Sequence, residues 1–295
     1  MTPRHMDTGN RAFWVLVGAS VALRIVLAYG VCCLAMVVWR VVRDGGAAAL
    51  WTSRPDLIPG VLILALTSAG LLKGTWALGR SFYDLRSFAR TVRRYRRPVP
   101  PELRALTDRL GIGARIRVIA TSCPFALTYG PRRPHVLVST GLLDVLSNEE
   151  LAAVLVHERA HLRSRDPLKN LCTRVILARH FYLPGVAWLR HRFTMGRELA
   201  ADRRAAALHG TTALAGSLLK VSEGPAWTKA VPAAAMASDE LLAARITQLE
   251  TGTEPPLRRP GRLARAGAAV SVTAFVAACV WSAQVIGQST PGCMF

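Results

Sequence analysis

Three long stretches of this 295-residue chain are almost continuously apolar. They cover residues 13–39, 57–79 and 266–286, and each is long enough to cross a bilayer, which takes about 20 helical residues. Arg24 interrupts the first stretch and Lys73 lies near the end of the second, whereas the third contains no charge. Buried helices of a large globular core are the other interpretation. Because a soluble enzyme of this size rarely contains three such stretches, the pattern predicts three transmembrane helices.

A fourth apolar stretch, residues 171–189, has a different pattern. Arg174, Arg179 and His180 interrupt it, and Pro184 would break a straight helix. We therefore predict a membrane-proximal or re-entrant hairpin that packs near the functional site, and not a fourth span.

The region between the second apolar stretch and residue 150 is typical of an α+β fold. Pro101–Leu110 suits a short helix, while Arg115–Thr121, Phe125–Tyr129 and His135–Ser139 look like strands. A Gly-Pro-rich turn at 130–134 separates the last two strands. We predict a small antiparallel sheet here, followed by a helix-rich remainder.

The next predicted helix carries the pattern His-Glu-x-x-His. Ser147 and Glu150 have the spacing of a capping box at its start. His157 and His161 are four residues apart, so they lie on one helical face and can hold one metal ion. Glu158 can then take a proton from a water that the metal activates. The alternative, a chance match on an ordinary amphipathic helix, is expected in roughly half a percent of chains of this composition.

A catalytic zinc site usually has a third protein ligand, and the best candidate is Glu198. Asp202 lies four residues further along a predicted helix, where it can accept the N–H of a ligating histidine. These two carboxylates could instead be solvated charges that balance nearby arginines. Other candidate ligands lack a partner at helical spacing or flank an apolar stretch: His180, His191, Glu223, Glu240 and Glu250.

These motifs together resemble a known family. The stretch from His157 to Asp166 is similar to the H-E-x-x-H-x-x-x-x-D element of membrane-bound gluzincin peptidases. Phe181 to Trp188, with its central proline, and Arg197 to Asp202 resemble two further elements of the BlaR/MecR-type antirepressor metallopeptidases. The resemblance covers roughly residues 115–210. The HtpX and CAAX-prenyl endopeptidase family shares the outline and is the nearest rival.

The resemblance implies a mainly α membrane protein, in which transmembrane helices surround a gluzincin-like α+β zinc-protease domain. It implies one Zn²⁺ held by His157, His161 and Glu198, with Glu158 as the general base. Asp202 and Asp166 would support the ligands, although Asp166 could simply end the helix before Pro167. The family usually has a cysteine at position 201, where this chain has alanine. A strand beside the active-site helix, Val136–Ser139 or Phe125–Tyr129, would pair with an extended substrate.

Basic residues near the apolar stretches predict the orientation in the membrane. The segment after the second stretch has one acidic residue, Asp84, and seven arginines: Arg80, Arg86, Arg90, Arg93, Arg94, Arg96 and Arg97. By the positive-inside rule, residues 80–265 form a cytoplasmic metallopeptidase domain, and residues 1–12 are cytoplasmic as well. Residues 41–56 would then be an external loop and residues 287–295 an external tail.

The formal net charge of +20 does not change this prediction. Its arginines concentrate beside the predicted spans, where they attract anionic lipid head groups, so the lipid bilayer is the expected partner and direct nucleic-acid binding is not expected. Only four of the 38 basic residues are lysines, a bias typical of a bacterium with a high-GC genome. The six cysteines contain no C-x-x-C pair, which argues against a cysteine metal site.

Three functions fit these features. The first is a regulatory protease of the cell membrane that cleaves a repressor of the BlaI/MecI type. The second is HtpX-like quality control of membrane proteins, and the third is a proteolytically inactive membrane scaffold for signalling. Because nine residues follow the third apolar stretch, the chain resembles the protease module without its penicillin-binding sensor, so we do not expect it to sense antibiotics by itself.

Overall fold

A computed structural model describes residues 8–48, 58–222, 239–256 and 261–289 of the chain. The chain divides into two compact units. Unit 1 comprises Met1–Ala12, Gly79–Cys172 and His191–Leu257, and unit 2 comprises Phe13–Leu78, Thr173–Arg190 and Arg258–Phe295.

Helices dominate the described residues. The helices are α1 (Thr8–Gly45), α2 (Ile58–Arg94), α3 (Pro101–Arg109), α4 (Thr140–Val145), α5 (Asn148–Ser164), α6 (Asp166–Arg179), α7 (Pro184–His209), α8 (Thr211–Ser222), α9 (Asp239–Thr251) and α10 (Arg262–Ser289). The strands are β1 (Arg96–Arg97), β2 (Ile116–Ile119), β3 (Ala126–Tyr129) and β4 (His135–Ser139), and a short 3₁₀ turn, Gly113–Arg115, precedes β2. The predicted short helix and three predicted strands are thereby confirmed.

The four strands form one sheet in the order β1-β2-β4-β3. β1 pairs with β2 and β3 pairs with β4 in antiparallel fashion, but β2 and β4 are parallel, with Ile116 opposite Val136. The prediction of a purely antiparallel sheet is therefore wrong. The reason is that β3 lies on the outer side of β4, so β2 and β4 become neighbours that run in the same direction. This arrangement also makes β3 an edge strand.

Both faces of the sheet are covered. Successive side chains of a strand point to opposite faces, and these strands carry apolar side chains on both. Leu151 and Leu155 of α5 belong to the core cluster on one face, and Leu137 meets Val92 of α2 and Phe125 on the other. The strand residues of the first face are Ile116, Val118, Val136 and Val138. This packing fixes the position of α5, the helix that carries His157 and His161, against the sheet.

The predicted spans coincide with described helices, since α1 contains 13–39, α2 contains residues 58–79 of the second stretch and α10 contains 266–286. Residue 57 lies outside the described residues. One described helix, α2, contains a segment long and apolar enough to cross a membrane, and only 22% of that segment is buried within the protein. A shorter apolar helical segment covers Arg265–Trp281. The spans at 13–39 and 266–286 remain predictions.

Residues 171–189 form the end of α6, a tight turn and the start of α7. In unit 2 the carbonyl oxygen of Arg179 lies against Gly70 of α2, so closely that a methyl group at Gly70 would collide with it. The Tyr182 ring stacks on Phe275 of α10, with ring centroids 5.6 Å apart. The hairpin shape agrees with the prediction, while its position in a membrane stays a prediction. Parts of the predicted terminal segments 1–12 and 287–295 and of the loop 41–56 lie outside the described residues.

Candidate metal centre

Helix α5 begins and ends with local features that place its histidines. Ser147 and Glu150 form the predicted capping box, in which the Glu150 carboxylate accepts from the Ser147 N–H at 2.8 Å. At the other end Arg165 adopts a left-handed conformation with φ of 53° and stops the helix. The chain therefore turns sharply, and Asp166 opens α6 within reach of the last turn of α5.

His157 and His161 are buried on one face of α5. Their Nε2 atoms lie 3.0 Å apart. Glu198 of α7 directs Oε2 toward both rings, at 3.4 Å from His157 Nε2 and 3.6 Å from His161 Nε2. Two helices thus bring the three predicted ligand atoms into one small triangle.

The shape of this triangle fits a four-coordinate metal ion. Bonds of about 2.0–2.1 Å in a tetrahedral zinc site place neighbouring ligand atoms about 3.3 Å apart. The separations of 3.0, 3.4 and 3.6 Å bracket that value. Among the described residues, these three side chains are the group able to offer three ligand atoms to one ion.

The opposite nitrogens of both rings face carboxylates. His157 Nδ1 lies 2.8 Å from Asp202 Oδ1, and His161 Nδ1 lies 2.6 Å from Asp166 Oδ2. The His161–Asp166 contact is a hydrogen bond, whereas His157 Nδ1 and Asp202 form a close ion pair without hydrogen-bond geometry. A proton kept at each Nδ1 would leave Nε2 free to bind a metal. The two Nε2 atoms, 3.0 Å apart, can share a proton in the metal-free site, and a metal ion bound there would replace that proton.

Glu158 contacts the sheet. The Thr128 hydroxyl of β3 donates to Glu158 Oε2 at 2.7 Å and lies 3.1 Å from the Glu158 carbonyl oxygen. This contact fixes the carboxylate next to edge strand β3, where a general base for an extended substrate would be needed. No pattern in the sequence points to Thr128, because its partner Glu158 lies thirty residues away and no motif links the two.

Two arginines hold the other carboxylates. Arg197 Nη2 lies 2.9 Å from Glu198 Oε1, which leaves Oε2 for the metal position. Arg245 of α9 donates through Nε and Nη2 to the two oxygens of Asp202, at 2.7 and 2.8 Å. Arg197 belongs to a sequence motif, whereas Arg245 belongs to none. The signal that could have pointed to Arg245 is that a buried carboxylate such as Asp202 needs a positive partner.

The charges of the site shift its pKa values strongly. Burial lowers the pKa of His161, but the charge of Glu198 and the hydrogen bond to Asp166 outweigh it and raise the pKa to about 10. Burial raises the pKa of Glu198, yet His161 and Arg197 hold it well below its ordinary value. Burial also raises the pKa of Asp202, but the neighbouring His157 and the hydrogen bonds from Arg245 lower it to about 2. Together these pKa shifts show that the buried carboxylates favour a positive charge at this site.

The other candidate ligands lie elsewhere. In unit 2 His180 shares a hydrogen bond with Ser20 at 3.0 Å. His191 and Glu240 form a long, half-exposed pair at 3.8 Å, and Glu250 is exposed. Glu223 lies outside the described residues.

Comparison with known proteins identifies the family of the chain. Residues 61–249, more than half of the chain, match the family model described as BlaR1 peptidase M56. The chain belongs to the BlaR1 peptidase M56 family. The match contains the whole His-Glu-x-x-His helix as well as Glu198 and Asp202, and it confirms the resemblance seen in the sequence. The BlaR1 peptidase M56 family is one of membrane metallopeptidases.

Several curated relatives are named protease HtpX or protease HtpX homolog. The chain is 31% identical over 166 residues to a protease HtpX homolog of Acidiphilium cryptum, covering 43% of this chain and 58% of that protein. It is 33% identical over 164 residues to a protease HtpX homolog of Moorella thermoacetica, covering 41% and 55%. Over 64 residues it is 41% identical to protease HtpX of Legionella pneumophila, covering 21% and 23%. The chain thus spans little more than half the length of the first two relatives.

Proposed function

We propose that this protein is an integral-membrane, zinc-dependent metalloendopeptidase. The observation that carries the proposal is the triangle of His157, His161 and Glu198 with the anchored Glu158 carboxylate beside it. Two imidazole nitrogens and one carboxylate oxygen are a ligand set that suits zinc, and three protein ligands leave a fourth position open, as catalytic sites require.

The roles of the side chains follow from their positions. A zinc ion held by His157, His161 and Glu198 would supply Lewis-acid chemistry, polarising a scissile carbonyl and making water more acidic. Glu158 takes the proton of the attacking water and passes it to the leaving amine. Asp202 and Asp166 keep the histidine protons on Nδ1, so that both Nε2 atoms face the metal position.

Substitution of Glu158 tests the assignment directly. We expect Glu158→Gln to abolish peptide hydrolysis but to bind zinc normally, because the residue is not a ligand. His157→Ala and His161→Ala should lose both zinc and activity. Metal analysis of the purified full chain and a fluorogenic peptide assay measure the two properties. Wild-type turnover by the Glu158→Gln protein would refute the assignment.

The substrate strand is proposed to lie along β3. β4 has a strand on each side, so the alternative site at Val136–Ser139 lacks a free edge. β3 has no second strand partner among the described residues, and it carries Thr128, the anchor of Glu158. An extended peptide paired with β3 would pass close to the general base.

The arginine distribution supports a proposed topology. In it, residues 13–39, 57–79 and 266–286 span the cell membrane, residues 80–265 face the cytoplasm, and the hairpin 171–189 lies at the membrane surface. Six arginines beyond Arg80 are exposed on or just after the C-terminal part of α2, as expected of a segment at a lipid surface: Arg86, Arg90, Arg93, Arg94, Arg96 and Arg97.

We propose a regulatory role with a cytoplasmic or membrane-proximal protein as substrate, such as a repressor of the BlaI/MecI type. The names of the HtpX relatives favour quality control of membrane proteins as the second candidate. The complete ligand set argues against the third, an inactive scaffold.

Proteomics of cells that express wild type or Glu158→Gln separates these roles. Accumulation of one repressor in the variant would support regulation, and accumulation of many membrane proteins would support quality control. Identical proteomes would favour the scaffold.

A further inference from the structure

Arg245 lies at the end of a chain of contacts that begins at the metal position. It binds both oxygens of Asp202, and Asp202 Oδ1 is also 2.8 Å from His157 Nδ1. The Asp202 side chain is fully buried and that of Arg245 is 16% exposed. Helices α9, α7 and α5 each contribute one member of this chain.

The geometry gives Arg245 a specific task. A bidentate guanidinium fixes the plane of a carboxylate as well as its charge, which one hydrogen bond cannot do. With both oxygens held, Asp202 can present Oδ1 to His157 in one orientation only. The arginine also neutralises a buried carboxylate that would otherwise carry a large desolvation penalty.

Docking of α9 on α7 is the alternative explanation, and the structure offers separate contacts for it. Gln248 Nε2 donates to the Leu199 carbonyl oxygen at 2.9 Å. Arg203 Nη1 donates to Oε2 of Glu254, in the segment that directly follows α9, at 3.0 Å. Neither contact involves Asp202 or a histidine, so both can be removed without disturbing the chain that leads to the metal position.

We infer that Arg245 is a positioning residue of the metal centre, which acts through Asp202 to orient His157. The inference rests on the proposed zinc site. It extends the centre to Arg245 of α9, which lies 43 residues beyond Asp202 in the sequence. Helix α9 carries no metal-binding motif.

Zinc release from the purified full chain tests the inference. We expect Arg245→Gln to speed transfer of zinc to a chromogenic chelator at least tenfold, since loss of a partner behind a metal ligand typically weakens binding about 10- to 100-fold. The absorption bands of the Co²⁺-substituted protein should shift in the same variant. Arg245→Lys, which keeps the charge but not the two-point contact, should fall between wild type and Arg245→Gln.

Arg203→Gln and Gln248→Ala are the matched controls. They should lower the melting temperature while leaving zinc release and the Co²⁺ spectrum at wild-type values. In Asp202→Asn protein, adding Arg245→Gln should change zinc release less than twofold, because the two residues act in series. This double variant has no unpaired buried charge and protects the test against a misfolded single variant.

Distinct outcomes would overturn the inference. Wild-type zinc release by Arg245→Gln, equal acceleration by Arg203→Gln, or a large added effect in the Asp202→Asn background would each show that Arg245 does not act through Asp202. A wild-type chain that binds no zinc would instead refute the proposed function.

Discussion

At the scale of single residues, three carboxylates of the site are each held by a neighbouring side chain. Thr128 holds Glu158, Arg197 holds Glu198 and Arg245 holds Asp202. A carboxylate fixed in this way does not have to reorganise when a substrate or a metal arrives, which is the advantage of a preorganised site.

Removal of the Thr128 hydroxyl should affect the general base alone. We expect Thr128→Val to lower kcat/KM for a fluorogenic peptide by about tenfold, because a freely rotating Glu158 spends less time in the productive orientation. The zinc content should stay at the wild-type level. Thr128→Ser keeps the hydroxyl and is the control, and equal activity of the valine and serine variants would contradict this role.

At the scale of elements, the metal-site helix α5 is tied to α8 through its own cap. Glu150 accepts from the Ser147 N–H and also binds Lys220 Nζ at 2.7 Å. The hydrogen bond from Lys220 and that from the Ser147 backbone lower the pKa of Glu150 below 4.5. A carboxyl whose pKa is lower in the folded state stabilises the fold above its unfolded pKa and loses this contribution on acidification.

The melting temperature of Glu150→Gln should therefore differ most from wild type at neutral pH. We expect a deficit of about 2–4 °C at pH 7. The deficit should begin to shrink below the unfolded pKa of about 4.5 and vanish once the pH falls through the lower pKa of the folded carboxyl. Thermal unfolding in detergent at several pH values measures this. Glu149→Gln, an exposed neighbour on the same turn, should run parallel to wild type, and a constant deficit of Glu150→Gln at all pH values would refute the linkage.

Helix α2 contacts the end of α6 through a glycine. A methyl group at Gly70 meets the Arg179 carbonyl oxygen, whereas one at Gly79 on the same helix meets nothing within 4 Å. We expect Gly70→Ala to lower the melting temperature in detergent and Gly79→Ala to leave it equal or higher, because alanine is favoured over glycine inside helices by about 1 kcal/mol. Equal effects of both changes would contradict close packing at Gly70.

At the scale of the whole molecule, local patterns were predictable and distant pairings were not. His157 and His161 follow from helical spacing, and Glu198 follows from the need for a third ligand together with a partner four residues on. Arg245 could not be chosen from the many arginines of the chain, because nothing local links it to Asp202.

The sheet shows the same division. The residue types of the sequence located three strands, but they carry no information about the relative direction of those strands. The parallel pairing of β2 and β4 was therefore missed. The two-residue strand β1 was missed as well, because Arg96 and Arg97 are charged and follow a helix directly. β1 joins the sheet by pairing with the backbone of β2, and not by burying hydrophobic side chains.

The placement of the three ligands on two helices has one further consequence. An ion bound by His161 and Glu198 would join two points of the chain and close a loop that contains all of α6, the turn after it and the first half of α7. Such a bridge acts like a disulfide, since it removes conformations from the unfolded chain as well as adding bonds to the folded one. Loss of the ion would then return those conformations to the unfolded chain over the whole looped segment, which includes residues 171–189.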